Sequence, residues 1–157
     1  MPAEGVEKRE YYNRKFGASR VAGLEANLKR VFAAEGLSVN FGGKTGPTMA
    51  SHRLIAYAET FGCDKQNALV EELFQNYFDE NKYLNDDAVL LAAADKVGVT
   101  GADAIVKDPQ AYRDTVIDQY RTYARGISGV PHFLIGDMEL SGAQEPDVFA
   151  DALARAA

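Results

Sequence analysis

The chain has 157 residues, 25% of them charged, and a formal net charge of −6. This is the composition of an ordinary globular protein, and the length fits one domain. The acidic balance argues against nucleic acid as the main partner, because a phosphate-binding surface carries a basic excess. No apolar run approaches the roughly 18 residues of a membrane span, and the polar start has no apolar signal core. These features predict a cytoplasmic protein that does not enter a membrane.

The sequence contains a single cysteine, Cys63. One cysteine forms neither an intramolecular disulfide nor a CxxC redox pair, and it excludes a cysteine-based zinc site. The two histidines, His52 and His132, stand far apart without metal-ligand spacing. We therefore predict no metal and no cofactor.

The first quarter of the chain indicates two helices and an extended stretch. A short helix is predicted over 6–15 and ends at Gly17. Ser19 is the expected N-cap of the next helix, because its hydroxyl can accept a backbone N–H. That helix is predicted to bury one apolar face, which consists of Val21, Leu24, Leu28, Val31 and Phe32. An extended stretch at 38–41 and a glycine-rich loop follow.

The pattern in the middle of the chain predicts a series of capped helices. Their predicted N-caps are Thr48, Asp64 and Asp86. The aromatic side chains between them are predicted to be core: Phe74, Tyr77, Phe78 and Tyr83. A long helix is predicted from Pro109 to about Arg125, since proline is favoured in a first turn.

The pattern changes after Gly126. A compact β-type run at 130–135, a Gly136-Asp137 turn and a second run at 138–140 predict a hairpin, and 144–157 predicts a final helix. The organisation is a helical block over about 18–125, followed by β-β-α over 126–157. We predict one domain over 1–157, of α+β class and mostly helical.

Several ordered motifs resemble the DsbA-like thioredoxin-fold family, which includes FrnE-type dithiol oxidoreductases. The most specific are Gly-Val-Pro-His-Phe at 129–133 and Ser-Gly-Ala-Gln at 141–144. The upstream matches are Lys8-Arg9-Glu10-Tyr11, Lys15-Phe16-Gly17, the stretch from Thr48 to His52-Arg53-Leu54, and Glu72-Leu73-Phe74 with Tyr77-Phe78. The resemblance covers nearly the whole chain.

The resemblance implies a thioredoxin-like fold of DsbA type with a helical insertion. In that family a β-α-β unit with CxxC precedes the insertion, and we expect this unit to be missing from these residues. Pro131 matches the cis-proline that lies beside the redox cysteines. The resemblance then implies a substrate-binding surface at Val130, Pro131 and His132, where the backbone of Val130 pairs with an extended peptide or thiol substrate.

Other residues have both a functional and a plain structural interpretation. Cys63 is a possible reactive thiol near a helix N-terminus, or an inert one. His132 could touch a substrate or simply face solvent or the helical block. We interpret His52 and Arg53 as packing and capping residues, and the acidic pairs at 71–72, 79–80 and 86–87 as solvated faces or caps. We predict no catalytic residue within this chain.

Three functions remain open at this stage. The first is a DsbA- or FrnE-type thiol–disulfide oxidoreductase that is inactive in dithiol exchange as this chain alone. The second is a non-catalytic binding or assembly module that uses the strand after Pro131. The third is a relative of the glutathione-dependent isomerases and transferases, such as 2-hydroxychromene-2-carboxylate isomerase. Since an uncovered sheet edge is a template for association, we expect a homodimer or a separate partner to cover it.

Overall fold

The computed structural model describes residues 1–156 as a mostly helical α+β protein, which confirms the predicted fold class. In chain order the elements are β1 Val6–Glu7, α1 Lys8–Phe16, α2 Ala18–Ala34, β2 Lys44–Thr45, α3 Met49–Ala58, α4 Cys63–Phe74, α5 Asp87–Val97, α6 Ala102–Lys107, α7 Arg113–Tyr123, β3 His132–Ile135, β4 Met138–Ser141 and α8 Pro146–Ala156. A 3-10 turn at Glu59–Phe61 follows α3, and a π-helical turn at Gln75–Asp79 follows α4.

The chain divides into two compact units, Met1–Ile117 and Asp118–Ala157, called here the helical unit and the hairpin unit. The division falls inside α7. The expectation of a single domain over 1–157 stays a prediction.

The main core of the helical unit lies between α3, α4, α5 and α6. Its fully buried large side chains are Leu54, Leu69, Leu90 and Val99. Each helix adds a second buried residue four positions from another, so each contributes one apolar stripe: Leu54 and Ala58, Leu69 and Leu73, Leu90 and Ala94, and Ala102 and Val106. Burying each such side chain contributes roughly 1.5–3 kcal/mol.

A second, smaller core joins α2 to the extended stretch after it. Val21, Val39 and Phe41 are buried there. Leu24 and Val31, which the spacing assigned to the same buried face, are instead 44% and 43% exposed. That assignment was wrong because the segment 38–41 covers only a narrow strip of α2.

The helix starts only partly follow the predicted caps. Asp86 accepts the backbone N–H of Ala88 at 2.9 Å and caps α5 as predicted. Helices α2 and α4 begin one residue before the proposed caps Ser19 and Asp64, each directly after a glycine with positive φ. Thr48 precedes α3, but its side chain makes no capping hydrogen bond.

Arg53 is a buried arginine, 3% exposed, on α3. Its guanidinium donates to the backbone carbonyls that end α6 and lead into α7: Ile105 at 2.6 Å, Val106 at 3.4 Å, Ala111 at 3.1 Å, and Asp108. The carbonyls are thereby held outside a continuous helix, and Tyr112 adopts a left-handed φ of 58°. The predicted helix start at Pro109 was therefore wrong, and α7 begins at Arg113.

The aromatic side chains at the end of α4 and just after it were predicted to be core, and two of them are not. Phe74 is 53% exposed and Phe78 is 39% exposed. The π-helical turn makes an i→i+5 hydrogen bond from Glu80 N to Gln75 O at 3.0 Å, so one extra residue enters the turn. The insertion follows Phe74, which is the residue after the buried Leu73 and therefore points about 100° away from it around α4. The extra residue changes the direction only of the side chains after it, such as Phe78.

The hairpin unit holds the predicted hairpin and final helix. Strands β3 and β4 are antiparallel, with His132 opposite Ser141 and Ile135 opposite Met138. The two-residue turn places Gly136 at φ 61°, which a glycine adopts without strain. Phe133 packs edge-on against Phe149 of α8, with ring centroids 4.8 Å apart. One face of the hairpin therefore rests on α8.

Candidate functional site

The turn into β3 presents its backbone to solvent. Val130 is 89% exposed, and the peptide bond between Val130 and Pro131 is cis. Within residues 1–156 no backbone hydrogen bond uses the N–H or C=O of Val130. The next carbonyl, that of Pro131, accepts the N–H of Gly142 at 2.8 Å. The segment is thus anchored on one side to β4, and the preceding residue keeps its backbone groups exposed.

His132 lies at the start of β3 with its side chain only 7% exposed. Its Nδ1 is 3.2 Å from Ser141 Oγ, and its Nε2 is 3.3 Å from a carboxylate oxygen of Glu139. The imidazole is held in one orientation by both contacts. It does not face solvent freely, as one interpretation of the sequence had it.

Sequence reasoning did not assign a role to Glu139 or Ser141. The signal was present, because a two-residue turn at Gly136-Asp137 fixes the register of the hairpin. In that register His132 lies opposite Ser141, and Glu139 shares their face.

Cys63 is the first residue of α4 in the helical unit, and it is exposed. Sequence analysis placed it just before this helix, and the structure places it within the first turn. Val130, Pro131 and His132 lie together in the hairpin unit. The structure thus assigns the candidate thiol and the candidate substrate surface to different units.

Lys8 is a buried amine that sequence reasoning missed. It is 2% exposed; its Nζ donates to the carbonyl of Tyr77 at 2.8 Å and lies 3.8 Å from the centre of that ring. Burial lowers the pKa of Lys8 to about 8. Burial and the neighbouring Tyr77 raise the pKa of Tyr12 to about 12. The hydrogen bond and the cation–π interaction of Lys8 with Tyr77 thus join α1 to the π-helical turn.

The remaining polar candidates act as structural groups. His52 Nδ1 contacts the carbonyl of Thr48, the residue before α3, at 2.8 Å. Glu72 is nearly buried and pairs with Lys96 at 2.5 Å. In the part of the chain that the structure describes, no group of three or more acidic, histidine or cysteine side chains is arranged to hold a metal ion. None of the described helices has the length and apolarity that crossing a membrane requires.

A helical unit followed by a β-β-α unit, with an exposed Val-Pro turn into the first strand of the hairpin, defines a protein of thioredoxin-like class. Comparison with protein families identifies it further. Residues 1–154 match the DSBA-like thioredoxin domain, and the chain belongs to this family.

One curated relative is an uncharacterized protein, YwbO, of Bacillus subtilis (strain 168). It is 32% identical to this chain over 84 residues. The matched stretch covers 52% of this chain and 42% of the relative. The chain therefore matches less than half of that protein's length.

Proposed function

We propose that this chain serves a thiol–disulfide oxidoreductase of the DsbA-like family, in which Val130, Pro131 and His132 bind the polypeptide substrate. The observation that carries the proposal is the free backbone of Val130 at the start of β3, in a chain that matches the family over residues 1–154. An extended substrate can pair with such a backbone as an added strand.

The chemistry of the family requires two sulfurs. A thiolate attacks one sulfur of the substrate disulfide and forms a mixed disulfide, and a second thiol then attacks and releases the reduced substrate. The sequence contains one cysteine, Cys63. By this reasoning the chain by itself does not complete a dithiol exchange cycle, and its part in the reaction is to bind and orient the substrate. The finer assignment to the FrnE type belongs to this proposal.

The test separates binding from chemistry. Reduction of insulin disulfides by the chain alone is expected to stay at the background rate. A labelled extended peptide should bind, and Pro131→Ala should raise its Kd about tenfold, or about 1.4 kcal/mol. Pro146→Ala, at the start of α8 in the same unit, is the matched control and should leave the Kd unchanged. Insulin turnover that is sensitive to Pro131→Ala and insensitive to Cys63→Ser would contradict the division of labour proposed here.

A second candidate function is assembly through the free edge of β3. Within residues 1–156 β3 pairs only with β4, and Leu134 in β3 is 69% exposed. Unpaired backbone groups on an apolar strand favour addition of a further strand. A second copy of the chain or a separate partner would meet this requirement.

Light scattering after size-exclusion chromatography tests this alternative. If the edge of β3 mediates association, Leu134→Lys should convert the assembly to monomers. Leu153→Lys on α8, a control of similar exposure at 60%, should not. A wild-type chain that remains monomeric at high concentration would argue against self-assembly through this edge.

A further inference from the structure

The helical unit carries an open groove that the thiol chemistry above does not use. Its volume is about 940 Å³, within the range of small-molecule and peptide pockets. Phe32, Leu37, Phe74 and Phe78 form its apolar surface, and three acidic side chains also line it: Glu71, Glu72 and Asp79. Its lining contains no lysine or arginine.

The apolar surface of the groove is exposed and yet held in place. Leu37 is 60% exposed and Phe74 53%. The rings of Phe74 and Phe78 pack edge-to-face with centroids 5.9 Å apart. The carbonyl of Phe78 accepts the N–H of Asn40 at 2.6 Å, so the π-helical turn is fixed to the segment after α2. A rigid exposed aromatic pair loses little entropy when it binds, which is the property of a binding hot spot.

The charges of the groove are also unbalanced. Glu72 is neutralised by Lys96, at 2.5 Å. Glu71 and Asp79 make no salt bridge within residues 1–156, although the Asp79 carboxylate accepts the hydroxyl of Ser38. Two carboxylates beside an aromatic surface therefore lack a cation. An occupant with a basic side chain next to bulky apolar ones would supply it.

We propose that this groove binds an amphipathic polypeptide segment that presents bulky apolar side chains on one face and a lysine or arginine beside them. The apolar side chains would contact Phe74 and Phe78, and the basic group would lie near Glu71 and Asp79. A short helix with anchors at i, i+3 or i+4, and i+7 presents its side chains in this way. This inference goes beyond the proposed function, because it needs neither a cysteine nor the Val130–Pro131 surface.

The experiment uses the full chain and two labelled helical peptides that differ only in charge. Both carry leucine anchors at the stated spacing; one has lysines beside the anchors and the other has glutamines. Fluorescence anisotropy is expected to show the lysine peptide binding more tightly, by about tenfold, and more weakly as salt is raised.

Matched variants locate the site. Phe74→Ala should weaken binding of both peptides at least tenfold. Phe61→Ala is the control, since Phe61 is also an exposed aromatic residue, at 38%, and does not line the groove. Glu71→Gln should weaken only the lysine peptide, and Asp64→Asn on the same helix should weaken neither. Since Phe74 and Glu71 are both exposed, circular dichroism spectra of these variants should match the wild type.

Three results would overturn the proposal. The first is no binding of either peptide at millimolar concentration. The second is binding that Phe74→Ala leaves unchanged. The third is a concentration-dependent dimer that Phe74→Ala dissociates while neither peptide binds, since the groove then belongs to a second copy of the chain. Loss of peptide binding in Pro131→Ala with no effect of Phe74→Ala would place the peptide at the other site.

Discussion

Replacing Arg53 should destabilise the helical unit more than any exposed arginine does. The guanidinium is buried and donates to four backbone carbonyls around the end of α6. In Arg53→Ala these carbonyls lose their donor in a site with little access to water. Each buried acceptor left unsatisfied costs about 1–3 kcal/mol. Because water can reach some of them after the side chain is removed, we expect a total loss of about 4 kcal/mol.

The lysine variant separates charge from geometry. Arg53→Lys keeps the positive charge, but a lysine ammonium has three donors and no planar fork. It can satisfy only part of the acceptor set, so we expect a loss of about 2 kcal/mol. Arg30→Ala is the control within the same unit, because Arg30 is exposed and, among residues 1–156, its side chain bonds only to Asn27, at 3.0 Å. Its effect should stay within about 0.5 kcal/mol.

Urea unfolding followed by far-ultraviolet circular dichroism measures these differences. For a small protein the free energy of unfolding falls by about 2 kcal/mol per molar urea. The midpoint should therefore shift by about 2 M for Arg53→Ala and by about 1 M for Arg53→Lys. An Arg53→Ala loss below about 1 kcal/mol would refute the reasoning, because the carbonyls would then be hydrated without the arginine. An equal loss in Arg30→Ala would refute it too.

Three further predictions concern the helical unit. Folding lowers the pKa of Lys8 from its ordinary value of 10.5 to about 8, so between these two pH values the unfolded chain binds more protons than the folded chain. The difference in free energy of unfolding between the wild type and Lys8→Met should therefore rise by up to about 3 kcal/mol as pH rises through this range, measured by urea unfolding at each pH. Hydrogen bonds from Arg9 and Lys29 lower the pKa of Glu25 to about 2. Glu25→Gln should therefore destabilise the protein by roughly 1 kcal/mol above pH 4.5, and this effect should vanish as pH falls towards 2. A pH-independent effect would contradict this. Gly43→Ala should cost at least about 2 kcal/mol more than Gly36→Ala in the same assay. The backbone φ is near +71° at both positions, but only at 43 would the new Cβ collide with a backbone oxygen, that of Asn81. Equal losses would show that backbone strain alone matters.

The hairpin shows what local sequence signals can predict. A glycine-containing two-residue turn between apolar runs fixes both the strands and their register, because each further pair follows from the turn. The prediction of strands on either side of Gly136-Asp137 is confirmed. The same register places His132 opposite Ser141 and near Glu139, so the sequence also carries the signal for this contact. Likewise Asp86 caps α5 by a contact between near neighbours in sequence.

The errors lie where a distant residue overrides the local pattern. Pro109 favours a helix start, but Arg53 binds the carbonyls of Asp108 and Ala111, which such a helix would use, from more than 50 residues away. Phe74 and Phe78 have an apolar spacing typical of a buried face, but the buried face of α4 is formed by Leu69 and Leu73 and leaves Phe74 outside it. The π-helical turn then inserts a residue into the segment that carries Phe78. Helical periodicity assumes 3.6 residues per turn and cannot reveal this insertion.

The error at Phe74 and Phe78 also bears on function. Two aromatic rings on one helical stripe would normally bury apolar surface, and exposing them gives up stability that the core could have used. The π-helical turn that follows Phe74 and carries Phe78 is held by Lys8 at the carbonyl of Tyr77 and by Asn40 at the carbonyl of Phe78. Polar contacts from two separate segments thus stabilise an arrangement that the apolar pattern disfavours. Departures of this kind are expected where a surface is kept for binding, and this is the physical reason for assigning a partner to the groove.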